Sequence, residues 1–98
     1  MKTTENYVST VIREEHRTID GTEYVYKLTA RMKSVSTSLK IPLYSIEVTM
    51  KTVNDDSKSA VCADAFSDVG SAMIFFDKIV RCAATPIDLA YVYEDDFS

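Results

Sequence analysis

The stretch Thr22-Glu23-Tyr24-Val25-Tyr26-Lys27-Leu28-Thr29-Ala30-Arg31-Met32-Lys33 decides the fold, because it alternates with a period of two. Tyr24, Tyr26, Leu28, Ala30 and Met32 fall on one side, and Glu23, Lys27, Thr29, Arg31 and Lys33 fall on the other. Alternation of this length predicts a strand with one face buried and the other in water. Downstream, residues 43–52 repeat the pattern, with Tyr44, Ile46, Val48 and Met50 inward and Ser45, Glu47, Thr49 and Lys51 outward. Upstream, Asp20-Gly21 marks a hairpin turn into an earlier strand. A two-residue turn would set Arg17, Glu15 and Arg13 opposite Tyr24, Tyr26 and Leu28. A three-residue turn, Ile19-Asp20-Gly21, instead pairs Leu28 with Ile12 and Met32 with Val8, and this register is expected. A hydroxyl-rich connection, Ser34–Lys40, joins the two long strands, and a shorter fourth strand is expected at 59–65 after the turn at 54–57.

The helices come last. Ser67 is the expected N-cap of a long helix whose apolar stripe is Val69, Ala72, Met73, Phe76, Ile79, Val80 and Ala83, with Phe75 on its flank. Thr85-Pro86 ends it and opens a short second helix. The residue before a proline avoids helical geometry, proline suits the first helical position, and Asp88 completes a Thr-x-x-Asp capping box. The expected architecture is therefore α+β. Residues 1–98 form a single domain, a four-stranded antiparallel meander covered on one face by the long helix, with the short helix at the C-terminus.

At this point the order of the pieces becomes recognisable. Tyr44-Ser45-Ile46-Glu47-Val48, then Phe66-Ser67 at a helix start, then Thr85-Pro86-x-x-Leu89-x-x-Val92-x-Glu94-Asp95 resembles a family of small uncharacterised bacterial proteins, chiefly from Firmicutes. It is the domain-of-unknown-function family numbered six-five-one-four. The resemblance runs over residues 22–97, and it implies an antiparallel sheet with C-terminal helices and no established activity.

Charge and composition narrow the function classes. The net charge of −4 is uneven: residues 54–98 hold nine acids against three bases. Such a surface repels phosphate backbones, and the nearest basic group, Arg13, Arg17, Lys27, Arg31 and Lys33, reads as a solvated sheet face, so no nucleic-acid partner is expected. The longest apolar run, Ala72–Phe76, is too short to cross a membrane, and the N-terminus reads as mixed polar sequence without a leader; a cytoplasmic protein without membrane attachment is expected. Cys62 and Cys82 lack metal-ligand spacing and read as reduced, buried thiols.

Catalytic chemistry finds little support. The one histidine, His16, stands beside Glu14 and Glu15 without a cysteine or a glycine-flanked serine nearby in sequence. Asp55-Asp56 is a turn signature, Glu94-Asp95-Asp96 lacks the glycine and spacing of a calcium loop, and Gly21 and Gly70 build no phosphate loop, so neither a cofactor nor a metal is expected. The features left over point to contact: Tyr91, Glu94, Asp95 and Asp96 on the last helix, and Phe75 with Gly70 as a self-association surface. A non-catalytic interaction or regulatory module, with a protein partner or a second copy, is the expectation. The alternative is a small-molecule binding domain using the tyrosine-lined space between sheet and helix.

Overall fold

In the computed structural model, which describes residues 9–54 and 56–97, with side chains as far as Glu94, the chain is an open antiparallel sheet followed by two helices. The strands are β1 (Thr10–Ile19), β2 (Thr22–Ser34), β3 (Lys40–Lys51) and β4 (Ser57–Phe66), hydrogen-bonded in chain order as a meander. The helices are α1 (Val69–Arg81) and α2 (Pro86–Phe97), of 13 and 12 residues, so the expected contrast between a long and a short helix is absent.

The alternation of β2 and β3 does what its period requires. Tyr26, Leu28, Ile46 and Val48 are fully buried on one face, joined in the core by Phe66 of β4, by Ala72, Phe75, Phe76 and Ile79 of α1, and by Leu89 of α2. Burying a side chain of this kind contributes about 1.5–3 kcal/mol, so these central rows dominate the hydrophobic stabilisation. α1 packs against β2 and β3, and α2 packs mainly against β4.

The hairpin joining β1 to β2 corrects the expected register. Ile19 pairs with Thr22, which leaves a two-residue turn in which Asp20 and Gly21 both have positive φ, 51° and 82°. Paired positive φ at Asp-Gly matches the right-handed twist of the flanking strands. Arg13, Glu15 and Arg17 therefore stand opposite Leu28, Tyr26 and Tyr24. That face is not wasted, because α1 supplies partners. The Arg13 guanidinium lies 5.2 Å from the Phe76 ring centroid and 3.3 Å from Asp77, and Arg17 donates to the Val80 carbonyl at 2.8 Å. Long arginine stems cover apolar surface while their heads find acceptors, and inward-pointing charges discourage pairing at an edge strand. A bulge at Ile12 then restores Thr10 opposite Ala30. Met32 pairs with Pro42 of β3; its expected partner across the first hairpin, Val8, lies outside the described residues.

A second bulge breaks β4. Three residues, Ala63–Ala65, face Ser45 alone, and Asp64 takes a positive φ of 51°. Its N–H donates to Ser45 Oγ at 2.8 Å, and its carboxylate accepts two bonds from Arg31 of β2, from Nε at 2.9 Å and Nη2 at 2.5 Å. Aspartate tolerates the left-handed region better than most residues, and this fork holds it there.

Candidate functional site

The helix junction is built from its caps. At the start of α1, Asp68 and not Ser67 is the N-cap, accepting from Ser71 N–H at 2.8 Å. At its end, the N–H of Ala84 bonds to the Ile79 carbonyl and that of Ala83 to the Val80 carbonyl, with Ala83 at φ 53°. This is a Schellman motif in which alanine holds the position usually taken by glycine. Thr85 then caps α2 as expected: Asp88 N–H donates to Thr85 Oγ1 and Thr85 N–H to the Asp88 carboxylate, both at 3.2 Å. The Tyr26 hydroxyl anchors the junction by donating to the Ala84 carbonyl at 2.9 Å, and burial pushes its pKa up to about 12.

The two helices differ in what they present outward. Phe75, expected on a self-association surface, is 1% exposed. It is core because α2 folds along that flank of α1: Tyr93 meets both Phe75 and Phe66 edge-on, at 5.8 and 5.7 Å. Gly70 is exposed, and a side chain there would meet Asp68 of its own helix, so it marks no close approach of another element. On α2, by contrast, Ile87 and Tyr91 are 67% and 68% exposed, and Glu94 is exposed with them. Their spacing, i, i+4 and i+7, sets the three on one helical face. The side chains of Asp95 and Asp96, also expected to serve contact, lie outside the described residues.

Side chains of the sheet and of both helices meet in one core between them. Tyr26 stacks with Tyr24 at 6.3 Å, and the Tyr93 hydroxyl donates to the Ala65 carbonyl at 3.2 Å, so two of the tyrosine hydroxyls facing that space are bonded to main chain. His16 lies on the open side of β1, exposed, 2.6 Å from Glu14. Among the described residues, no group of three His, Cys, Asp or Glu could hold a metal ion. Both cysteines are free. Cys62 is half-buried, with burial pushing its thiol pKa up, but Cys82 is exposed at the C-cap of α1, which corrects the expectation that both are buried.

At the far end of the sheet, the β2–β3 hairpin outruns its neighbours among the described residues. The described pairing with β1 stops at Ala30 and that with β4 at Tyr44. The last rungs, Arg31–Leu43 to Ser34–Lys40, continue past both. Met32, Val35 and Leu39 are each about half exposed there, beside exposed Lys33 and Lys40. Sequence reading missed this group. Its signal was the absence of any acid from residue 24 to residue 46.

Among the described residues, no helix is long and apolar enough to cross a membrane. No curated protein and no solved structure matches the chain. The model of a family of unknown function, DUF6514, matches residues 2–97. That match takes in all four strands and both helices, and the chain belongs to the DUF6514 family.

Proposed function

We propose that the protein is a non-catalytic, cytoplasmic interaction module whose contact surface is the outward face of α2. The observation that carries this reading is the exposure of Ile87 and Tyr91 one turn apart, beside Glu94, on a helix whose opposite face holds buried Leu89 and half-buried Val92 and Tyr93. A helix needs one apolar face to dock, and a second apolar strip in water is a cost unless something covers it. Tyrosine suits contact surfaces because its ring gives apolar area while its hydroxyl stays wet. The acids at the C-terminal end of α2 agree with this, since they oppose the helix dipole and do not serve local stability.

The test is a photo-crosslinking side chain at the exposed Ala90 position, activated in living cells of the source organism. Covalent adducts larger than the free chain are expected, and the same probe at exposed Ser59 of β4 serves as control. A position-90 probe that gives no adduct above this control overturns the reading.

A further inference from the structure

We infer that the basic, apolar end of the β2–β3 hairpin docks onto the outward face of α2 of a second copy of this chain. The inference rests on the contact role of α2 and names what that face meets. Residues 24–46 carry Lys27, Arg31, Lys33 and Lys40 and no acid, in a chain whose net charge is −4. Arg31 is held by Asp64, so the charges presented at the hairpin end are Lys33 and Lys40, both exposed.

Beside the lysines lie partly exposed Met32, next to Lys33 on β2, and Val35 and Leu39 on a turn closed by Val35 and Ser36 N–H bonds to the Leu39 carbonyl. The α2 face has the complementary make-up: Ile87 and Tyr91 exposed, Asp88 and Glu94 exposed beside them, and Asp95-Asp96 next in sequence. Each surface offers apolar area, and the two are opposite in sign. Matching of this kind steers encounter and fixes register.

Geometry favours a second molecule. Tyr93 ties the later part of α2 to Ala65, beside the Tyr44–Phe66 rung. Lys40 lies four residues beyond Tyr44, a reach of about 13 Å at the rise of an extended strand. The hairpin end thus projects past the contact between α2 and β4. Because every copy carries both surfaces, a two-fold pairing makes the contact twice and closes the assembly as a dimer.

Sedimentation velocity between about 10 µM and 1 mM, a span suited to weak association, tests the inference with the full chain, two charge-reversed proteins and their mixture. One variant carries Lys33→Glu and Lys40→Glu, and the other carries Glu94→Lys, Asp95→Lys and Asp96→Lys. Circular dichroism and melting establish that each variant folds. The wild type is expected to dimerise, more weakly as salt rises. Each variant alone should dimerise at least tenfold more weakly, while the mixture recovers dimer, because only the mixed pair has opposite charges at both contacts. A monomeric wild type, a dimer indifferent to the reversals, or a mixture that stays monomeric overturns the inference. So does a monomer that co-sediments with phosphatidylserine vesicles through Lys33 and Lys40, since that assigns the hairpin to an anionic lipid surface. Monomeric protein that still gives position-90 adducts with other proteins removes the self-docking alone and leaves the contact role of α2 standing; loss of the adducts removes both.

Discussion

The Tyr26 hydroxyl reaches across the core to the Ala84 carbonyl at 2.9 Å, so the centre of β2 holds the four-residue link between the helices, Cys82–Thr85. Tyr26→Phe removes the donor and leaves a carbonyl of buried Ala84 without it, and the expected cost is about 1–3 kcal/mol. The hydroxyl also sets an alkaline limit. Its folded pKa is raised to about 12, above the ordinary value of 10.0, so its contribution is complete below pH 10 and is lost as pH rises towards 12. Denaturant melts of the two proteins from pH 8 to 12 check both points. The wild type should lose stability over the last two units more steeply than the phenylalanine variant.

The link itself carries strain that a single change relieves. Ala83 sits at φ 53° to complete the Schellman motif, a conformation that glycine adopts without a Cβ clash. Ala83→Gly should therefore stabilise the protein, by about 1 kcal/mol after the larger entropy loss of glycine is subtracted. An urea midpoint that moves down would contradict the motif.

Gly21 is the converse case. Its φ is 82°, and a Cβ there would lie 3.0 Å from Val53 Cγ1. Gly21→Ala should cost about 1–2 kcal/mol, through left-handed strain and displacement of Val53. Thermal melting measures it: one kcal/mol corresponds to about 4–8 °C in a domain of this size.

The Arg31 fork on Asp64 predicts an acid-sensitive bulge. Bonding to Arg31 holds the Asp64 carboxyl below its ordinary value of 3.8, so its contribution is present above that pH and is lost as pH falls through the lowered folded value. Asp64→Asn should flatten the fall in stability below pH 4, which urea melts at pH 2.5, 3.5 and 5 will measure. The pair is part-buried and still within reach of solvent ions, so the effect should shrink in high salt.

How much of this was legible depended on range. The alternation of β2 and β3 and the Thr85–Asp88 box are local patterns, and the structure contains both. The β1 register was misread because Arg13 and Arg17 look like surface residues until α1 places the Phe76 ring, Asp77 and the Val80 carbonyl above them, some sixty residues later in sequence. Phe75 was misplaced for a related reason: its burial requires α2 to fold back so that Tyr93 covers it. The Arg31–Asp64 pair and the left-handed Ala83 left no local mark, since no glycine signals either bend. At the candidate site, Tyr91 and Glu94, read as contact residues, are exposed, whereas the hairpin end becomes visible only when the described pairing shows which rungs outrun their neighbours.

If the outward face of α2 serves contact and not folding, a double substitution there separates the two. Ile87→Gln with Tyr91→Gln keeps helix-forming residues at two exposed positions, so the fold should be nearly unaffected. Melting and position-90 crosslinking are read on the same double variant and on the wild type. The double variant should melt within about 4 °C of wild type, as for surface changes generally, and should lose most of the crosslinked product. A double variant that melts as the wild type does and still crosslinks fully would contradict the contact role of α2.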